Sequence, residues 1–171
     1  ETEVSGALLC LDVNEKIVDE AVALGCNLIV SHHPLIFHKL AHITDANYVE
    51  RAVMEAIENH ITIVAMHTNM DNAHGGVNCK IAENMGLTDV GFFASKTVDG
   101  IECGSGVIGS FVEAQAADDF VIMLKRAFDV ECVMCNQLLR REIRRVAICG
   151  GAGSFLLDDA IAAGADAFVT G

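Results

Sequence analysis

The stretch GALLCLDVNEKIVDEAVALGCNLIVSHHP, residues 6–34, decides the fold. It opens on a short apolar run, 6–11. Asn14 follows as an N-cap, and Ile17, Val18, Ala21, Val22 and Leu24 recur at helical spacing until Gly25 stops the helix. Residues 27–30 then read as a buried strand. The stretch is a β-α-β unit, and the grammar recurs downstream. Thr44 or Asp45 opens a helix carrying Val49, Val53, Met54 and Ile57 to about Asn59, and 61–66 is the next strand. A third helix runs from about Gly76 to Met85 and is closed by Gly86. From 87 to 105 the signals weaken, and Gly91, Gly100, Gly104 and Gly106 point to loops around short strands. Further on, 107–111 reads as a strand, 116–128 as a helix with Phe120, Met123, Leu124 and Ala127 on one face, and 131–135 as an edge strand. Arg140, Arg141, Arg144 and Arg145 then cluster, as a solvated turn or a subunit contact. The expected fold is α/β: two related lobes, 1–90 and 91–171, each a sheet with flanking helices, the second cut short at its C-terminal end.

An internal similarity reads either as shared β-α-β grammar or as two related lobes facing each other. A shift of 139 aligns 6–32 with 145–171 without a gap, pairing Cys10 with Cys149, Asp19 with Asp158, Ala21 with Ala160, Ala23 with Ala162, Gly25 with Gly164 and Val30 with Val169. Any two β-α-β units share part of this pattern.

Composition bounds the function. The chain has 171 residues, 52% of them hydrophobic, and a net charge of −13; its pI is near 4.7 and its mean hydropathy +0.40. Acidity on this scale argues against a nucleic-acid footprint, which needs basic residues to neutralise phosphates. The chain is too apolar for disorder, yet no run reaches the roughly 18 residues of a membrane span. A soluble globular protein is expected. Its seven cysteines are odd in number and scattered through apolar segments, which points to a reducing cytoplasm instead of a disulfide framework. No signal peptide is visible, and the lack of an initiator Met fits a fragment or a trimmed chain.

In open α/β sheets, ligands bind beyond the carboxyl ends of the strands. Three segments qualify: Ser31-His32-His33-Pro34, His67-Thr68-Asn69-Met70-Asp71, and Gly150-Gly151-Ala152-Gly153-Ser154. Successive side chains of a strand alternate, so His32 and His33 are expected to diverge and to serve two ions better than one. Pro34 biases His33 toward extended geometry. Asp71 adds a hard carboxylate to two imidazoles, a donor set suited to zinc, iron, manganese or cobalt and poor for calcium. His67 is a further ligand, an outer-shell partner or a proton carrier. Such a set matches sites where paired metals polarise a substrate and deprotonate a bound water. Two ions need roughly four to six ligands each, more than His32, His33, Asp71 and His67 supply. The remainder is expected beyond Gly171 or from another subunit, or else one ion binds.

Other motifs are weaker. Gly151-x-Gly153 is a tight turn or a phosphate nest, with Leu156 where a dinucleotide fingerprint has its third glycine. Cys132-x-x-Cys135 lies in a strand-like run without a second pair, against redox or zinc use. His38, His42, His60 and His74 are expected at the surface, with His38 and His74 flanking the site.

The segments 31–37, 67–71, 75–78 and 149–154, in this order and spacing, resemble the Ngg-interacting-factor-three-like family, whose members carry the label GTP cyclohydrolase 1 type 2 homologue. The likeness covers nearly the whole chain and is vaguest over 87–145. It implies two α/β lobes around a dimetal cleft, assembled into a toroidal homohexamer. By the same likeness His32, His33 and Asp71 fall on metal-ligand positions and His67 on a site-lining, catalytic position; the remaining ligands, a His and a bridging Glu, lie in a C-terminal segment absent from this sequence, as is an N-terminal helical one. The implied activity is metal-dependent hydrolytic opening of the guanine ring of GTP or a related nucleotide, with release of formate. The alternative is a metal-binding regulatory or interaction protein without turnover.

Overall fold

A computed structural model describes residues 2–138 and 141–171. The chain divides into two units after His67, where the sequence reading placed the change of lobe at residue 90. Leu139 and Arg140 lie outside the described residues.

The first unit holds β1 (Ala7–Cys10), α1 (Glu15–Ala23), β2 (Leu28–Ser31), α2 (Tyr48–Glu58) and β3 (Thr62–Ala65). The three strands form one parallel sheet in the order β1-β2-β3. Asn14 caps α1, accepting the amide of Ile17 on its side chain, and Gly25 leaves the helix at φ +71°, a left-handed conformation that favours glycine. The core joins Val18 and Ala21 of α1 to Ile29, Ala52, Ala56 and Ile61. The second helix begins later than the sequence indicates, at Tyr48, because Asn47 and not Thr44 caps it. Asn47 and Glu50 bond reciprocally, the Glu50 amide to Asn47 Oδ1 at 3.0 Å and Asn47 Nδ2 to Glu50 Oε1 at 2.7 Å. Thr44 instead gives its amide, at 2.7 Å, and its hydroxyl to the Glu50 carboxylate. That carboxyl is held below its usual range, chiefly by the Thr44 hydroxyl.

The second unit holds α3 (Thr68–Asp71), α4 (Val77–Asn84), β4 (Thr88–Val98), β5 (Ile101–Ala116), α5 (Ala117–Ala127), β6 (Glu142–Cys149), a single 3-10 turn at Ser154–Leu156, α6 (Leu157–Ala162) and β7 (Ala167–Thr170). Its sheet runs β4-β5-β6-β7, antiparallel up to β6 and parallel between β6 and β7. Along β6, Val146 and Ile148 enter the core built with Ala82 of α4, Met85 just after it, and Phe120 and Leu124 of α5. Ala147 and Cys149 enter the opposite core, with Leu156 and Ala160. Helices therefore cover this sheet on both faces.

Two expectations are corrected here. Residues 87–105 are not loops around short strands: they belong to a long hairpin whose two-residue turn, Asp99-Gly100, has φ of 50° and 80°, the combination that matches the twist of paired strands. Of the misleading glycines, Gly104 and Gly106 lie inside β5, against aromatic side chains. A Cβ on Gly106 would come 2.5 Å from the Phe93 ring, and one on Gly104 3.0 Å from Phe92 Cβ. Nor do 131–135 form an edge strand; the segment is irregular and Cys132 and Cys135 are exposed. Of the arginine cluster, Arg144 and Arg145 sit in β6 with exposed side chains, and Arg141 is exposed just before it.

The repeat is structural. β1 pairs with β2 as Ala7 with Leu28 through Cys10 with Ser31; β6 pairs with β7 as Val146 with Ala167 through Cys149 with Thr170, the same register shifted by 139. Gly25 and Gly164 both have positive φ, 71° and 74°. The stop bonds match: the Cys26 amide reaches the Ala21 carbonyl at 2.9 Å and the Ala165 amide that of Ala160 at 3.1 Å. Even a polar clasp recurs. Asn27 Oδ1 accepts the Ser5 amide at 2.9 Å, and Asp166 Oδ2, at the equivalent position, accepts that of Arg144 at 3.0 Å.

Candidate metal centre

His32 and His33 follow β2 directly, and His67 follows β3 by two residues. Their backbone is held because the parallel ladder continues past the strand ends: the His32 amide bonds the Cys10 carbonyl at 3.2 Å, His33 bonds Leu11 at 2.9 Å, and Met66 bonds Ser31 at 2.7 Å. The buried Ser31 hydroxyl donates to the His33 carbonyl at 2.8 Å. The three rings gather. One ligand atom from each of His32, His33 and His67 lies within 4.8 Å of the other two, and the ring centroids are 5.0, 5.2 and 5.7 Å apart. The expected divergence of the adjacent histidines is therefore corrected. Residues 32 and 33 are bends beyond the strand, where pleated alternation no longer applies.

Hydrogen bonds fix two tautomers. His32 Nδ1 lies 3.0 Å from the Met66 carbonyl oxygen, and His33 Nδ1 lies 2.8 Å from Asp12 Oδ1. A carbonyl and a carboxylate oxygen accept, so in the neutral imidazoles each Nδ1 is the donor and each Nε2 is the atom suited to ligate a metal. An imidazole that gives its other N–H to a carbonyl or carboxylate is the arrangement in which histidine ligates metals. Two such rings, the half-buried His32 and the exposed His33, with the half-buried His67 beside them, have the donor chemistry that a divalent transition metal requires.

Asp12 was missed by sequence reasoning. Its signal was present, since it lies two residues past the end of β1, the position that singled out the histidines on the other strands.

Asp71 belongs to the second unit, as the last residue of α3. Its carbonyl accepts from Asn78 Nδ2 at 3.0 Å. Asn78 is fully buried; it also donates to the Ser105 carbonyl at 3.1 Å and accepts the Gly150 amide at 2.7 Å. Asn78 thus ties the Asp71 turn to the glycine turn. The Cys149 thiol is pushed up, first by burial and then by the charge of Asp71. The glycine turn itself is a tight turn rather than a phosphate nest: the Gly150 amide is taken by Asn78, and the Gly153 amide by Thr170 Oγ1 at 2.8 Å. A Cβ at Gly153 would meet Cys149 Cβ at 2.6 Å, which explains that glycine by packing alone. His38, His42, His60 and His74 are exposed, as expected.

Among the described residues, no helix is long and apolar enough to cross a membrane. The sequence model of Duf34/NIF3 (NGG1p interacting factor 3) matches residues 1–171. A Lactococcus lactis protein named GTP cyclohydrolase 1 type 2 homolog is 34% identical over 99% of this chain and 64% of its own length. A Clostridium perfringens protein of the same name is 30% identical over the whole chain and 65% of its own length. This chain therefore spans just under two thirds of those relatives. The crystal structure of a Staphylococcus aureus hypothetical protein is similar with a TM-score of 0.86 and 30% identity, over 99% of this chain and 67% of that one.

Proposed function

The chain belongs to the Duf34/NIF3 family, and from that premise we propose that it is a metal-dependent hydrolase acting on GTP or a related nucleotide, as the name shared by its relatives indicates. The observation that supports this reading most is the approach of His32, His33 and His67 within 4.8 Å. A divalent transition metal held there would lower the pKa of water and polarise a substrate oxygen. His32 and His33 are the holding residues, each fixed by the hydrogen bond at its Nδ1. His67 is a third donor, or moves a proton between water and the opening ring, work suited to an imidazole whose ordinary pKa lies near neutrality. The sequence pattern adds Asp71 as a carboxylate donor, and two ions as the full complement. In the reaction one water adds to C8 of guanine and the C8–N9 bond breaks, leaving C8 as a formamide on N7; a second water cleaves the C8–N7 bond, so that C8 leaves as formate and N7 keeps a proton as the amine.

Formate release from GTP by the protein loaded with zinc, manganese or cobalt tests the reading. Turnover is expected, with loss of at least tenfold in His33→Ala and in Asp71→Asn. Tight metal uptake with no formate from any nucleoside triphosphate would contradict it and favour a binding role without turnover.

A further inference from the structure

We propose that Asp12 is a positioning residue of the metal centre: its carboxylate holds His33 in the tautomer that presents Nε2 to a cation. The inference rests on the metal reading above and extends it to a residue outside the histidine motifs. It stands on geometry. Asp12 Oδ1 is 2.8 Å from His33 Nδ1, and the two turns that carry these side chains are themselves bonded, the His33 amide to the Leu11 carbonyl at 2.9 Å. In the second β-α-β segment the corresponding turns also meet, through a different bond: the Gly171 amide, at the position equivalent to His32, bonds at 3.0 Å the carbonyl of Gly151, at the position equivalent to Asp12, whereas the His32 amide bonds Cys10. There the turn carries no side chain. In the first unit the same approach is furnished with a carboxylate on one turn and an imidazole on the other.

The chemical consequence follows from the tautomer. An imidazole side chain in water prefers its proton on Nε2, which blocks that nitrogen as a ligand. His32 escapes through the Met66 carbonyl, which is backbone and cannot be lost by substitution. His33 is 46% exposed and has only a side chain, that of Asp12, fixing its Nδ1. A carboxylate partner also raises the basicity of the opposite nitrogen, strengthening the bond to a cation. Asp12 is itself 65% exposed and outside the hydrophobic core of its unit, so its removal leaves the fold in place.

The test uses the whole chain and two readouts. The first is zinc affinity, from competition with a chromophoric chelator, in wild type, Asp12→Ala, Asp12→Glu and His33→Ala. The second is the tautomer of His33 in the metal-free protein, from long-range nitrogen-proton correlation spectra above the imidazole pKa. Asp12→Ala is expected to weaken zinc by about 10- to 100-fold and to move the His33 proton from Nδ1 toward Nε2, with an unchanged melting temperature; Asp12→Glu restores a large part of both. Tight wild-type binding that is lost in His33→Ala and kept in Asp12→Ala would overturn the role of Asp12 while leaving the metal centre standing. Equally weak zinc binding in wild type and His33→Ala would overturn the metal centre and this proposal together. An unchanged His33 tautomer in Asp12→Ala would overturn it on the second readout alone.

Discussion

Asp166 and Asn27 occupy one structural position in the two copies of the β-α-β repeat, and the single atom by which they differ makes a measurable difference. Both receive a backbone amide, Asn27 that of Ser5 just before β1, but Asp166 is ionised and takes two from within β6, those of Arg144 at 3.0 Å and Arg145 at 2.8 Å. Those amides hold its carboxyl below the ordinary value of 3.8. A carboxyl lowered by folding stabilises the native state above its unfolded pKa, and the benefit is lost as pH falls through the folded value. Replacing Asp166 by Ala is expected to cost on the order of 1–2 kcal/mol at pH 7, with wild type and variant converging below about pH 4 in denaturant titrations. Asn27→Ala loses neutral hydrogen bonds, costs about 1 kcal/mol, and holds that cost across the same range. A gap that fails to narrow for Asp166 would contradict the assignment. The shared position was not legible in the sequence, because Asn and Asp there do not match and a run of six identities does not single out a polar clasp.

At the scale of elements, legibility followed the type of signal. Helix caps and stops were readable: Asn14 and Gly25 bound α1, and Gly76 and Gly86 bracket α4. The parallel strands were readable as apolar runs. The β4-β5 hairpin was not, because glycines inside β5 look like breakers until the rings of Phe92 and Phe93 are known to cover them. Asp99-Gly100 was the one local sign of the turn, and both residues have positive φ. Gly100→Ala is accordingly expected to destabilise the protein by about 1 kcal/mol, whereas Asp99→Asn, equally tolerant of that conformation, changes it little; thermal melts of the two variants check this. A larger loss for Asp99→Asn would show that the turn depends on the carboxylate. The start of α2 was misplaced because Thr44, Asp45 and Asn47 are all good caps, and only the reciprocal bonding with Glu50 chooses among them.

For the whole molecule, the repeat sharpens a contrast. Leu9 of β1 and Ile148 of β6 are equivalent in register, yet Leu9 is 74% exposed and Ile148 1%. The face of β6 that carries Ile148 is covered by α4 and α5 in the second unit. Ile148→Ala is therefore expected to cost about 2–5 kcal/mol and Leu9→Ala less than about 0.5 kcal/mol, measured by denaturant unfolding of the same chain. Comparable losses would mean that Leu9 is buried in solution. The boundary between the units, after His67, was not legible in the sequence because the motif His67-Thr68-Asn69-Met70-Asp71 is continuous and spans it. For the same reason the candidate centre was read only in part. Strand-end histidines announced themselves through position and chemistry, whereas Asp12 lay past a strand end without a histidine beside it to draw attention.

The central claim is that His32 and His33 hold a divalent cation beside His67. Anomalous diffraction at the zinc edge, from crystals of the zinc-loaded protein, tests it most directly. The account predicts a peak bonded to the imidazole nitrogens of His32 and His33, next to the ring of His67. Zinc-saturated crystals with no anomalous peak at the three histidines would contradict it.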